Sequence, residues 1–229
     1  MRKLTVYTDR KENIAGFIYI AIQMFLLPSV LQSINSTLPT PFTTGALNFI
    51  YFAINFICVT VIFHRYLLTS FKVLIQSPFV TLKCALFGFV AYQVGKALMT
   101  LVIMLLSPDF TNLNDQAVQD SMTQNYTLMG IGTIILAPVA EEVLYRGVVF
   151  GCFHRKFPVF AYIFSTIVFS MIHIVGYIGK YTPMALLCSF ILYLPAGLCL
   201  AWAYDKSGTV MAPILMHIAI NQLGILNMR

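Results

Sequence analysis

The stretch CALFGFVAYQVGKALMTLVIMLL, residues Cys84–Leu106, decides the class of this protein. Lys96 is its one charged side chain, and the rest of the stretch is largely apolar. A helix needs about 20 apolar residues to cross the roughly 30 Å of hydrocarbon in a bilayer. The stretch therefore predicts a helix that spans a membrane.

Other apolar stretches of this kind fill most of the chain: Ile14–Leu31, Gly45–Phe63, Tyr126–Phe153, Phe157–Gly179, Pro183–Tyr204 and Ser207–Met228. Between Phe63 and Pro78, apolar residues at helical spacing predict a short helix that lies in the membrane interface or forms an eighth element. The sequence thus predicts an all-α fold, a polytopic membrane bundle of seven or eight transmembrane helices. Residues 1–229 form a single transmembrane domain in this prediction.

The composition excludes a soluble domain. Hydrophobic residues make up 59% of the chain and charged residues 10%, whereas soluble domains carry about 25% charged residues. A net charge of +6 could indicate nucleic-acid binding. The basic residues lie at segment boundaries, however, and not along one face as a phosphate-binding surface requires. We expect a lipid bilayer around the protein and no nucleic acid.

Basic residues cluster at one set of segment ends: Arg2, Lys3, Arg10, Lys11, Arg65, Lys72, Lys83, Arg155, Lys156 and Lys206. At the other ends, Ser33–Thr44 carries no charge, and Ser107–Asn125 carries three Asp without Lys or Arg. Lys180 and Arg229 are the exceptions. Because Lys and Arg in short loops stay on the cytoplasmic side, the pattern predicts an integral membrane protein with a cytoplasmic N-terminus.

Ionisable groups inside membrane spans are costly and mark functional sites. Here they are Lys96, Glu141, Glu142, Arg146, His173 and His217, with Asn221 as a polar neighbour. Glu142 and Arg146 lie four residues apart, so they meet on one helix face and predict an internal ion pair. Glu141 points about 100° away and lacks a cation on its own helix, which makes it a candidate general base. No role is assigned to Lys96.

Three predicted helices bring such groups to a similar depth. Glu141 and His217 lie near the midpoints of their spans, and His173 lies about 7 Å from the midpoint of its own. His217 and Asn221 share a face at a spacing of four residues. A non-catalytic scaffold would hold the same groups for structural reasons, and a proton-coupled transporter would use them as a relay. The small size and the lack of an internal repeat weaken the transporter interpretation.

Three short motifs occur in order on successive spans: EExxxR at 141–146, FxxxH at 169–173 and HxxxN at 217–221. In these motifs the sequence resembles the CPBP family, which includes type II CAAX prenyl endopeptidases and related bacteriocin-processing or immunity (Abi-like) proteins. The resemblance covers residues 126–221, the predicted catalytic core.

The resemblance implies an intramembrane endopeptidase. By analogy, Glu141 and His173 would activate the attacking water, and His217 with Asn221 would stabilise the oxyanion. Glu142 and Arg146 would hold Glu141 in place. Glu141, His173 and His217 could instead bind zinc and leave a position open for water. The chain has no HExxH motif, and we favour a mechanism without tightly bound zinc.

The resemblance leaves two classes of substrate open. One is a lipidated protein with a CAAX-type terminus, and the other is a leader or pheromone peptide. The compact chain is typical of the bacterial branch, in which family members process peptides or confer self-immunity to bacteriocins. A non-catalytic immunity protein is therefore the alternative to a peptidase.

Overall fold

The computed structural model of this chain describes residues 4–227. Within them lie nine helices and no strand: α1 Arg10–Thr37, α2 Thr44–Ile62, α3 His64–Gln76, α4 Pro78–Leu106, α5 Leu113–Gln124, α6 Tyr126–His154, α7 Pro158–Ile172, α8 Pro183–Ser207 and α9 Met211–Leu226. The prediction of an all-α bundle is confirmed. Four residues used in the sequence predictions, Arg2, Lys3, Met228 and Arg229, lie outside the described residues.

Within the described part of the chain, six helices are long and apolar enough to cross a membrane: α1, α2, α4, α6, α7 together with the 3-10 turn that follows it, and α8. Helix α9 is apolar but has only 16 residues. The span predicted to start at Ser207 is therefore shorter in the structure. Gly208 has a φ of 76° and ends α8, a conformation that glycine adopts without steric cost, and α9 begins only at Met211.

The segment between α2 and α4 folds into one short helix, α3, as predicted. The segment between α4 and α6, for which the sequence predicts no helix, contains α5. Asn112 caps α5, and its side-chain oxygen accepts hydrogen bonds from the backbone N–H groups of Asn114 and Asp115 at 3.0 and 3.2 Å. Such an N-cap offsets the lack of apolar periodicity in so polar a helix.

Helix α6 forms the centre of the bundle: 44% of its most apolar stretch is buried, against 11–33% in the other five long spans. Two π-helical segments, Gly132–Leu136 and Val143–Phe150, interrupt it. Pro138 lies between them and has no N–H to donate to the preceding turn. Such π-helical segments occur often at functional sites, and here they flank Glu141 and Glu142.

The N-terminal segment closes the basic end of the bundle. Leu4 and Val6 are buried there, and the hydroxyl of Tyr204 donates to the carbonyl of Val6 at 2.9 Å. The hydroxyl of Thr8 donates to the carbonyl of Gly147 at 3.1 Å. These contacts fix the chain before α1 beneath the second half of α6.

Candidate active site

Glu142 and Arg146 form the predicted ion pair in the interior of the bundle. A guanidinium nitrogen of Arg146 lies 3.1 Å from Glu142 Oε1, and both side chains are fully buried. A second guanidinium nitrogen of Arg146 donates to the carbonyl of Gly197 in α8 at 3.3 Å. The pair thereby joins α6 to α8 and compensates two charges that would be costly alone.

The same carboxylate oxygen of Glu142 also contacts His217. The spacing of the motifs does not predict this contact. Nδ1 of His217 donates to Glu142 Oε1 at 2.7 Å. Because an ionised carboxylate only accepts hydrogen bonds, this contact requires the proton on Nδ1. It turns Nε2 of His217 toward Glu141, at 4.0 Å from Glu141 Oε2.

Glu141 differs from Glu142 in its surroundings. Its side chain is 24% exposed and lines an internal cavity. Among the described residues, Oε2 of Glu141 has no hydrogen-bond partner. A buried carboxylate oxygen without a protein partner leaves room for a water or a substrate group.

His173 caps the C-terminal end of α7. Its Nδ1 donates to the carbonyl of Phe169 at 2.8 Å, which makes Nε2 an acceptor in the neutral ring. The ring stacks on Tyr193 of α8, with 4.0 Å between centroids and 19° between planes. His173 also lines the cavity that Glu141 faces.

Phe169, the first residue of the FxxxH motif, lies between the motif residues. Its ring centroid is 5.8 Å from that of His217 and 4.7 Å from that of His173. The guanidinium carbon of Arg146 lies over the same ring at 4.2 Å from its centroid. This one aromatic ring therefore contacts three of the polar motif residues, a role that the sequence analysis did not assign to it.

Asn221 lies one turn beyond His217 on α9. Its side-chain nitrogen donates to the carbonyl of Thr133 at 2.8 Å. Thr133 belongs to the first π-helical segment of α6, and Asn221 lines the cavity. Five motif residues therefore line one cavity: Glu141, Phe169, His173, His217 and Asn221. Glu142 and Arg146 are fully buried and reach the site through His217 and Phe169.

The cavity has a volume of about 350 Å³. It occupies the half of the bundle that ends in α5, opposite the basic end. Several polar residues outside the motifs line it: Gln23, Tyr51, Asn55, Tyr92, Lys96, Asn112, Asn114, Asp115, Tyr145 and Tyr193. The amide of Gln23 donates to the hydroxyl of Tyr145 at 2.9 Å. A glutamine within an apolar span is a signal that could have identified Gln23 from the sequence.

Asp115 and Lys96 lie at the α5 side of the cavity. The hydroxyl of Tyr193 donates to Asp115 Oδ1 at 3.4 Å. Burial raises the pKa of the Asp115 carboxyl, while the charge of Lys96 and the hydrogen bond from Tyr193 act in the opposite direction. Lys96, to which the motifs assign no role, lies in the wall of the same cavity as Glu141.

In the described part of the chain, no three His, Cys, Asp or Glu side chains converge closely enough to hold a metal ion. Nδ1 of His217 is held by Glu142, and Nδ1 of His173 is held by a backbone carbonyl, which leaves Nε2 as the free ring nitrogen of each histidine.

Comparison with known proteins gives two similarities. Residues 123–223 match the family model described as "Type II CAAX prenyl endopeptidase Rce1-like". The chain is 29% identical over 109 residues to the "Putative membrane peptidase YdiL" of Bacillus subtilis (strain 168). That similarity covers 47% of this chain and 40% of the relative. No solved structure gives a significant match.

Proposed function

Because residues 123–223 match the family model of Rce1-like type II CAAX prenyl endopeptidases, we propose that this chain is an intramembrane endopeptidase of the CPBP family. Its substrate is a membrane-associated peptide or protein, in which it hydrolyses one peptide bond. The matched region includes all three motifs and therefore every side chain to which we assign a chemical role.

The observation that carries the proposal is the arrangement of Glu141 and the two histidines around one cavity. Glu141 presents a carboxylate oxygen without a protein partner, and Nε2 of His217 lies 4.0 Å from that oxygen. His173 lines the same cavity. Peptide hydrolysis requires a base for the water and donors for the oxyanion, and these groups supply both.

Glu141 and His173 activate the water. The carboxylate accepts one proton of the water, and the oxygen attacks the carbonyl carbon of the scissile peptide bond. Nε2 of His173 is a free acceptor because Nδ1 is engaged by the Phe169 carbonyl, so it orients the same water. The proton then passes from Glu141 to the leaving amine as the carbon–nitrogen bond breaks.

His217 and Asn221 stabilise the negative charge that develops on the carbonyl oxygen. To donate from Nε2 while Nδ1 donates to Glu142, His217 must be an imidazolium. Two carboxylates, Arg146 and this imidazolium then have a net charge of zero, which limits the cost of burying them. Asn221 donates one amide N–H to Thr133 and has a second N–H for the oxyanion.

The cavity's position bears on the side from which substrate arrives. The described basic residues of the connections, such as Arg65 and Lys156, lie at the end away from α5, with the exception of Lys180. With a cytoplasmic N-terminus, the α5 end is extracytoplasmic. This orientation favours a leader or pheromone peptide that is inserted in or exported through a bacterial cell membrane. It disfavours a lipidated protein attached to the cytoplasmic face.

The test is cleavage of synthetic apolar peptides by the protein purified in detergent, with products identified by mass spectrometry. His173→Ala and His217→Ala should each lower the turnover at least about 100-fold while the protein remains folded. His64→Ala changes an exposed histidine on α3 and should retain full turnover. A scaffold or immunity protein would give no product even in the wild type. A transporter would give none and would show pH-dependent uptake.

A further inference from the structure

Lys96 is a charged residue within a membrane span, and the three motifs do not explain its presence. It lies in the second half of α4, in the wall of the cavity that Glu141 faces. Among the described residues, its ammonium group makes no ion pair within 4.0 Å of a carboxylate. A charge at this depth is costly unless it is paired or used in binding.

The charge of Asp115 interacts with the charge of Lys96, but the Asp115 carboxylate forms no ion pair with the Lys96 ammonium group. Its carboxylate accepts a hydrogen bond from Tyr193, and the two charges interact only through the space of the cavity. Lys96 therefore has up to three N–H groups that can bind an anion from the cavity.

The surroundings of Lys96 favour a peptide over a lipid. The backbone of the preceding residue, Gly95, packs so closely on α8 that an added Cβ would lie 3.0 Å from Cβ of Pro195. Helices α4 and α8 are therefore in close contact at this level, which leaves little room for a lipid headgroup between them. On the cavity side, Asn112, Asn114 and Tyr193 offer amide and hydroxyl groups that can hydrogen-bond to a peptide backbone.

The position of Lys96 also connects it with the reactive groups. Tyr193 stacks on His173 at one end and reaches Asp115 with its hydroxyl at the other. The cavity thus runs from Glu141, near the middle of α6, to a polar region beside α5. A peptide whose scissile bond lies at Glu141 places its flanking residues beside Lys96.

We propose that Lys96 is a binding residue for a carboxylate of the peptide substrate, either its C-terminal carboxylate or an acidic side chain. The inference rests on the proposed peptidase function and adds to it a preference for an anionic group on one side of the scissile bond. Removal of the competing carboxylate of Asp115 strengthens this binding, and removal of the charge of Lys96 abolishes it.

The probe is one N-acetylated apolar heptapeptide in three forms: a C-terminal acid, the C-terminal amide, and the amide with one glutamate. Binding is measured by calorimetry in detergent on the Glu141→Gln variant, which cannot complete turnover. The acid or the glutamate form should bind about tenfold more tightly than the plain amide, as expected for a hydrogen bond between charged groups. Which of the two forms gains identifies the source of the carboxylate.

Added to Glu141→Gln, Lys96→Met should reduce this preference to within about twofold, and Lys96→Arg should retain most of it. Asp115→Asn should increase it. The melting temperature of Lys96→Met should not fall, because the change removes an uncompensated charge from the membrane interior.

Equal affinity for all three forms, or a preference that survives in Lys96→Met, would overturn the inference. So would loss of the preference when phosphatidylglycerol is added to the micelles, since Lys96 would then bind a lipid headgroup. The proposed function is tested by a separate outcome. If an anionic form binds more tightly but the wild type cleaves no peptide, the peptidase function is overturned and the Lys96 subsite is supported. If the wild type cleaves a peptide but no form binds more tightly, the peptidase function is supported and the subsite is overturned.

Discussion

Glu142 Oε1 accepts a hydrogen bond from Nδ1 of His217 at 2.7 Å, although the two residues lie 75 positions apart in the chain. The same oxygen is 3.1 Å from Arg146. One buried carboxylate atom therefore holds a cation on its own helix and orients a histidine on another. This division leaves Glu141 as the glutamate that faces the cavity.

Substitution of Glu141 and substitution of Glu142 should consequently have different effects on stability and turnover. Glu141→Gln preserves volume, so we expect normal folding and loss of nearly all turnover. Glu142→Gln leaves Arg146 as an uncompensated buried cation, which costs about 3–5 kcal/mol of stability, and it removes the negative charge beside His217. That variant should lose both thermal stability and activity. Melting temperature in detergent and single-turnover cleavage measure the two effects separately.

The double variant Glu142→Gln, Arg146→Gln provides the control. It removes the stranded cation and should restore part of the stability lost in Glu142→Gln, while activity stays low because a neutral amide no longer supplies the negative charge beside His217. If Glu141→Gln proves unstable and Glu142→Gln stable but inactive, the two roles are reversed.

The sequence was sufficient for those features that depend on neighbours along the chain. The apolar spans, the short helix α3 and the Glu142–Arg146 pair follow from local periodicity. The contact between Glu142 and His217 depends on how α6 packs beside α9, and no local spacing encodes it. Helix α5 lacks an apolar period, so its cap at Asn112 was the one local signal available.

The cavity could be predicted only in part. The motifs identified Glu141, His173, His217 and Asn221, which line it. The residues that complete its walls come from helices without a motif, and most of them are tyrosines and amides that occur in many membrane spans. The engagement of Asn221 with the Thr133 carbonyl depends on a π-helical segment, whose position periodicity does not reveal.

Phe169 should be needed for turnover, although it carries no reactive group. Phe169→Leu removes the ring over which Arg146 lies, a contact worth about 0.5–2 kcal/mol, and allows His173 and His217 to shift. Because a displacement of about 1 Å can cost 100-fold in rate, we expect turnover to fall at least about tenfold. Phe164→Leu on the same helix α7 changes a ring that stacks on Phe160 and should leave turnover nearly unchanged. Similar kinetics in both variants would exclude a positioning role for Phe169.

Gly197 should tolerate no side chain, because α7 and α8 approach closely there. An added Cβ would lie 3.0 Å from Cα and 3.1 Å from the carbonyl oxygen of Thr166, which are backbone atoms that cannot rotate away. Gly197→Ala should cost about 1–3 kcal/mol of stability and displace the carbonyl that accepts from Arg146. Gly130→Ala has no atom within 4 Å of the new Cβ and should be neutral or stabilising by up to about 1 kcal/mol. Equal melting temperatures for both variants would contradict this packing argument.

The orientation of the bundle can be tested with two cysteines at opposite ends. Cys152 is exposed near the basic end, and Gln116 is exposed on α5. In a background where the other native cysteines are replaced, an impermeant thiol reagent added to intact cells should label Gln116→Cys and spare Cys152. The reason is the retention of Lys and Arg on the cytoplasmic side. Labelling of Cys152 alone would place the cavity mouth in the cytoplasm and would restore a lipidated cytoplasmic protein as the favoured substrate.

Turnover should not depend on zinc. Glu141 and His173 can activate the water without a metal, and among the described residues no three His, Cys, Asp or Glu side chains converge closely enough to hold a metal ion. Exhaustive chelation followed by elemental analysis should therefore leave a protein that contains no stoichiometric metal and cleaves at an unchanged rate. Two results together would contradict this prediction. The untreated protein would contain near-stoichiometric zinc, with less in His217→Ala, and activity would be lost on chelation and regained with zinc. A metal-bound water would then replace the water activated by Glu141 and His173.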